Sequence, residues 1–434
     1  MMIAKIAYSD LPFDFPNLLL HWAQAFDTFA YLDSNQQTQT YSRFEKALAV
    51  GVVSELKTSV EGAFEKLDQY QKNTKDYIFG YLSYDLKNDI EDLTSSHFDG
   101  LQFPDLYFFQ PQKLFLFHAD FLEIRYHDSC ETHWEQDVVA IENTRIEHEF
   151  VLSNGTIQQR ISKQQYFEKF EQLQKHLKRG DTYETNFCME FFVETIQINP
   201  FKVFKELNTL TRKPFAVFFK HEQHYLLSAS PERFVMKSGD KVLTQPIKGT
   251  SRRDQDPVLD AQLKSQLAFH PKERSENIMI VDLVRNDLSK IASKGSVQVE
   301  ELCKVYSFPG VHQMISTVSA VVKSGISSVE ILRSLFPMGS MTGAPKISTM
   351  QIIESLEETK RGLYSGAFGY FTPDSDFDFN VIIRSILYHS DNQYLSFSVG
   401  GAITAKSHPE QEYNECLLKS EAIRSTLNKF LIHS

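Results

Sequence analysis

Lys248 lies in the run Pro246-Ile247-Lys248-Gly249-Thr250, between a strand-like segment at residues 241 to 243 and the Arg252-Arg253 pair. No helical periodicity asks for a lysine there. An amine becomes a nucleophile when it loses its proton against an electrophilic carbon, and a lysine in a closed pocket near other cations can be tuned that way. Taken alone, Lys-Gly reads as an exposed turn, because lysine is rarely buried. Two Glu-x-x-Glu pairs follow downstream, Glu273 with Glu276 and Glu412 with Glu415. On a helix this spacing puts both carboxylates of a pair on one face, one turn apart. Each pair alone reads as a solvated helix face. Each, however, opens a segment with an apolar stripe: Ile278, Ile280 and Leu283 after the first, Leu417, Leu418 and Ile423 after the second. Two such helices could meet across a cleft. Their carboxylates suit Mg²⁺, a hard ion that keeps waters and takes one or two protein carboxylates directly. The other two would orient water around it.

The blocks surrounding these residues resemble the chorismate-utilising enzymes, the family of the anthranilate, aminodeoxychorismate, isochorismate and salicylate synthases. In the family's order they are residues 180–183 (GDTY), 230–234 (SPERF), 246–250 (PIKGT), 276–287 (ENIMIVDLVRND), 339–346 (GSMTGAPK), 366–370 (GAFGY), 383–385 (IRS), 400–402 (GGA) and 412–419 (EYNECLLK). They fall within about residues 160 to 425. Any one block is weak evidence; their common order makes the resemblance specific. Within the family, anthranilate synthases resemble Pro-Ile-Ala-Gly-Thr where this chain has Lys248, whereas aminodeoxychorismate synthases resemble Pro-Ile-Lys-Gly-Thr, with the lysine as covalent nucleophile. The water-adding members carry a lysine base, which activates water, at the position of Glu184, and Glu184 cannot play that part. Aminodeoxychorismate synthases often have Gln there.

The resemblance therefore implies amination of chorismate at C4 with Mg²⁺ as cofactor, Glu276 and Glu415 as direct ligands and Glu273 and Glu412 behind them. Glu232 matches the acid that protonates the departing C4 hydroxyl. Arg384 resembles the arginine that grips the enolpyruvyl carboxylate, a task suited to a planar fork, and Lys419 resembles a second carboxylate contact. Gly249, Thr250, Gly400 and Gly401 would offer backbone N–H groups, while Ala402 replaces a frequent third glycine. Ser340 and Tyr364 match pocket-lining positions. His312 aligns with a histidine thought to assist pyruvate elimination in anthranilate synthases, and either an acid–base or a structural role suits it here. Two other readings compete. An anthranilate synthase component I is disfavoured by Lys248, and a non-catalytic subunit by the joint presence of Lys248, Glu232 and all four acidic residues.

These residues need a large scaffold. The chain has 434 residues and a formal net charge of -11, which argues against nucleic acid as partner and leaves an anionic substrate to local cations and metal. Cys130, Cys188, Cys303 and Cys416 lie far apart, without the spacing of a zinc site or a disulfide framework. Neither an 18-residue apolar run nor a signal-peptide pattern is visible, so a cytoplasmic enzyme without a membrane partner is expected, and the Asn154-Gly155-Thr156 sequon is a chance match. Residues 1–154 read as a separate strand-rich portion, with aromatic segments at 77–84 and 106–118. Residues 155–434 read as the chorismate-binding domain, opened by a helix with a Ser162-x-x-Gln165 capping box, a stripe of Phe167, Phe170, Leu173 and Leu177, and a stop at Gly180. Alternating strands follow at 216–219, 225–229 and 394–399. Periodicity gives mixed α and β; the resemblance implies an α+β fold of large antiparallel β-sheets packed as a sandwich with helices outside.

Leu32-Asp33-Ser34 resembles half of the tryptophan site of anthranilate synthases, but the other half is replaced by Thr211-Arg212-Lys213-Pro214-Phe215-Ala216, so a remnant pocket without tryptophan control is expected. None of the cysteines sits in a Gly-x-Cys-x-Gly elbow. Ammonia should therefore come from a glutamine amidotransferase on a separate chain, and a separate lyase should complete 4-aminobenzoate for folate.

Overall fold

Along the strand Phe215–His221, Val217 and Phe219 enter one apolar core while Ala216 and Phe218 enter another. The neighbouring strand His224–Ser230 repeats the pattern, with Leu226 on one side and Leu227 on the other. Side chains alternate across a pleated strand, so a sheet that feeds two cores must be apolar at consecutive positions. That explains the density of aromatic residues. In this computed structural model, which describes residues 2–37, 41–145 and 152–432, twenty strands join in one hydrogen-bonded network. Its named ladders are antiparallel, and helices cover it. The α+β expectation of large antiparallel sheets with helices thus holds.

Hydrogen bonds cross the sequence boundary at Asn154. Thr28–Asp33 pairs with Phe215–His221, and Ile78–Leu82 pairs with Ala367–Phe371. A division into residues 1–154 and 155–434 is one we propose from sequence composition; the sheet itself runs through both.

The helix Lys163–Arg179 begins with the expected reciprocal cap of Ser162 and Gln165 and ends at Gly180, whose φ of 85° suits glycine. Its inner face is Tyr166, Phe170, Leu173 and Leu177; Phe167 is only half-buried. The acidic pairs do lie near the starts of two long helices, Pro271–Ile291 and Pro409–Asn428. Two members of the expected stripes do not face inward: Ile278 is 39% exposed and Leu418 67%. The inward face of the first helix runs through Glu276, Asn277, Ile280, Val281 and Val284, and that of the second through Glu412, Tyr413, Cys416 and Ile423. A stripe phased one residue off leaves Ile278 and Leu418 on the outer side.

Candidate active site

Lys248 projects from the strand Ile247–Arg252, and 12% of its side chain is exposed. Its Nζ donates to Glu184 Oε1 at 2.9 Å. Glu184 starts the strand Glu184–Val193, pinned by Thr404 on one side and Ala344 on the other. The second contact needs a glycine: a Cβ on Gly343 would stand 2.0 Å from the Glu184 carbonyl oxygen. Burial alone would push the Lys248 ammonium down, but Glu184, Glu276 and Glu232 outweigh it and hold the pKa above the ordinary lysine value.

Glu232 occupies the turn between His224–Ser230 and Arg233–Ser238, and Ser340 Oγ donates to its Oε1 at 2.7 Å. Burial pushes its carboxyl up to about 7, against the opposing effects of the Ser340 hydroxyl and the Lys248 charge. A neutral carboxylic acid at physiological pH is a proton donor. Asn186, Met341 and the buried Arg361 knit the neighbourhood together: Arg361 donates to the carbonyls of Met341 and Asn186 and pairs with Glu357.

The two acidic helices supply the next wall. Glu276 is buried, and burial raises its carboxyl to about 7. Lys272 Nζ lies 3.2 Å from Glu412 Oε1 and 3.7 Å from Glu276 Oε1, so one ammonium spans both helices. Glu415 Oε1 meets Lys419 Nζ at 2.7 Å, and Lys419 also donates to the Gly400 carbonyl at 2.8 Å. Glu276 Oε1 and Glu412 Oε2 are buried without a hydrogen-bond donor among the described residues. Unsatisfied buried carboxylate oxygens are costly, and a cation relieves that cost. Among the described residues no three His, Cys, Asp or Glu side chains form a ready-made metal cage. Mg²⁺ does not require one, since it keeps waters and binds through one or two carboxylates plus substrate. The residues present fit it in that form.

Gly401 backs this wall, where a Cβ would lie 3.3 Å from Glu412 Oε2 and 3.9 Å from Glu415 Oε1. Gly249, at φ 91°, sits against Glu273 in the same way. Thr250 is the next residue of the Lys248 strand and is exposed. Ala402 is buried opposite Asn186. Tyr364 is buried, with its hydroxyl 3.7 Å from Cys188 Sγ. Arg384, at φ 55°, donates to the Lys419 carbonyl at 2.7 Å. His312 pairs across the sheet with Ser251 of the Lys248 strand; its Nε2 meets Asp260 Oδ1 at 3.0 Å and its Nδ1 meets Ser307 Oγ at 2.9 Å, so both ring nitrogens are engaged.

Lys272 was missed in the sequence, although its i,i+4 spacing to Glu276 was there to be read. Lys213, part of the segment that replaces the second half of the tryptophan site, is partly buried, and burial and the neighbouring Arg384 charge lower its pKa to about 8. Leu32, Asp33 and Ser34 line a cavity with Pro214, Phe215 and Ala216, while Arg212 is exposed.

The sequence pattern of the family described as chorismate binding enzyme matches residues 21–425. Aminodeoxychorismate synthase component 1 of Escherichia coli (strain K12) is 40% identical over 272 residues, 63% of this chain and 59% of that protein. The matched stretch thus spans well under two thirds of that relative. The protein of the same name from Bacillus subtilis (strain 168) is 30% identical over 80% of this chain and 76% of its own length. In three dimensions, anthranilate synthase component I from Streptococcus pneumoniae TIGR4 matches with a TM-score of 0.77 at 24% identity, over 89% of this chain and 93% of that one. MenF, the menaquinone-specific isochorismate synthase from Escherichia coli, matches with a TM-score of 0.77 at 17% identity, over 98% and 94%. These two likenesses concern the fold.

Proposed function

The chain belongs to the chorismate-binding enzymes, and on that premise we propose that it converts chorismate and ammonia to 4-amino-4-deoxychorismate, as an aminodeoxychorismate synthase component I does. The observation that carries this reading is Lys248, a largely buried primary amine held at 2.9 Å by Glu184. The names of the Escherichia coli and Bacillus subtilis relatives support it.

In the proposed reaction Lys248 attacks C2 of the ring, the double bonds shift, and the C4 oxygen leaves as water. Hydroxide leaves poorly, so the proton comes from Glu232, which burial keeps neutral up to about pH 7. Ammonia then attacks C4, the double bonds shift back, and Lys248 is expelled. Two displacements with allylic shift put nitrogen at C4; one alone would put it at C2. Mg²⁺, when bound, supplies a Lewis acid for the ring carboxylate. Glu276 and Glu415 would hold it, with Glu273 and Glu412 orienting its waters. Arg384 and Lys419 would take the substrate carboxylates, and Gly249, Thr250, Gly400, Gly401, Ala402, Ser340 and Tyr364 would line the pocket.

Ammonia would be delivered by a glutamine amidotransferase on another chain, since no cysteine here has the glycine neighbours of such an enzyme's elbow. No described helix is long and apolar enough to cross a membrane, and a cytoplasmic location fits a step toward 4-aminobenzoate and folate. Mass spectrometry of the products from chorismate, Mg²⁺ and ammonium, with and without an added lyase, tests the reading. Aminodeoxychorismate without lyase and 4-aminobenzoate with it are expected. Fluorescent anthranilate appearing without a second enzyme would assign the chain to the alternative amination.

A further inference from the structure

We infer that Glu184 is the base that takes a proton from Lys248 before attack and returns it when the lysine departs; this rests on the covalent reading above. Lys248 must be neutral to form a bond to carbon. Four carboxylates bear on it from four elements: Glu184 from its strand, Glu232 from the turn before Arg233–Ser238, Glu276 from Pro271–Ile291 and Glu415 from Pro409–Asn428. Together they hold the ammonium charged, so burial does not free the amine by itself. Of the four, Glu184 is the one hydrogen-bonded to Nζ. Glu276 and Glu415 face Lys272 and Lys419 as cation-binding groups, and Glu232 must keep its proton for the C4 oxygen.

Glu184 is also built for the task. Strand pairing on both sides and the close approach of Gly343 fix its backbone. Its side chain is 1% exposed, with Oε1 on Lys248 and Oε2 free of any hydrogen-bond donor among the described residues. One oxygen is therefore idle, and the carboxylate can take a proton without giving up another bond.

The steps balance. In the first displacement the Lys248 ammonium gives a proton to Glu184, the N–C2 bond forms, the C4–O bond breaks, and the Glu232 proton leaves with the oxygen as water. Lys248 is then joined to the ring as a secondary ammonium. In the second, the ammonia N–C4 bond forms as the C2–N bond breaks. The released lysine amine recovers the proton from Glu184, and the new C4 ammonium gives one to Glu232. Both glutamates end as they began, and no oxidant or reductant is needed.

The test is rapid-quench intact-protein mass spectrometry of the full chain with chorismate and Mg²⁺ but no ammonia, for wild type, Glu184→Gln and Glu184→Asp at several pH values. Glu184→Gln should form the Lys248 adduct about 10²–10⁴-fold more slowly than wild type near neutral pH. That deficit should shrink about tenfold per pH unit, as hydroxide replaces the missing base. Taking the ratio to wild type cancels the titration of Glu232, which both proteins share. Glu184→Asp, with a carboxylate on a shorter arm, should recover part of the rate and the wild-type pH dependence. A Gln variant that matches or exceeds wild type at neutral pH overturns the inference, because desolvation then frees the amine unaided. A deficit constant with pH also overturns it, leaving Glu184 a positioning residue. Wild type without adduct, alongside a productive Lys248→Ala variant, would instead remove the covalent reading itself.

Discussion

At the scale of single residues the proposed reaction divides between a nucleophile and an acid, and each gives a separate prediction. Lys248→Ala deletes the amine and leaves the acidic helices untouched, so product formation should fall below detection while calorimetric chorismate binding changes by a few-fold at most. Turnover at the wild-type rate without added amine would end the covalent mechanism. Glu232 predicts a pH dependence whose sign follows from its environment. Burial raises its carboxyl to about 7, so the donor form is present below that pH and is lost above it. With chorismate and Mg²⁺ but no ammonia, formation of the Lys248 adduct should slow as pH rises through about 7, and Glu232→Gln should erase that limb at a cost of about 10²–10⁴-fold in rate. A rate that climbs through the same range would assign Glu232 to the base. Lys248 was legible because its sequence block is distinctive. Its partner was not, since Glu184 lies 64 positions upstream and no local spacing joins them. His312 shows the converse: alignment marked its position, but a single sequence holds nothing about Asp260 and Ser307 closing over its ring.

At the scale of elements the acidic pairs are set by helical phase. The spacing of Glu273 with Glu276 and of Glu412 with Glu415 was readable, as was the Ser162 cap, because both are local rules of helix geometry. Which member of each pair faces inward was not readable from the stripes, and Ile278 and Leu418 show the error in phase. Lys272, spanning Glu276 and Glu412, depends on two helices meeting and so belongs to tertiary structure. Glu276→Gln and Glu415→Gln should each abolish Mg²⁺-dependent turnover, whereas Glu273→Gln and Glu412→Gln should cost about 10–100-fold, the usual effect of disturbing a group behind the ligands. Mg²⁺ titration of activity, with metal affinity measured by calorimetry, separates the classes. Equal, mild losses at all four positions would mean that these carboxylates are solvated or purely structural.

At the scale of the whole molecule, composition suggested two portions, and hydrogen bonding joins them. Composition sees the aromatic-rich segments before Asn154 as a block, but strand partners are chosen by twist, register and burial, which lie outside any local window. Thr28–Asp33 meets Phe215–His221 over six paired residues, and Ile78–Leu82 meets Ala367–Phe371 over five. Both apolar cores draw side chains from either side of the boundary, with Phe79 and Phe368 in one and Phe29 and Phe397 in the other. Separating the portions would expose the paired edges of these four strands and two half-cores at once, and unpaired edges invite aggregation. The full chain should therefore unfold in one calorimetric transition whose van't Hoff enthalpy approaches the measured enthalpy. Residues 155–434 expressed alone should be aggregated or lack a cooperative transition. Two separated transitions in the intact chain, or a soluble and cooperatively melting 155–434 fragment, would show that the strands crossing the boundary are dispensable. Lys248 would then be positioned by the second portion alone. In the expected case the strand carrying Lys248, paired with Val311–Val321, stays in register because the whole network does, and loss of the first portion should remove activity and folding together.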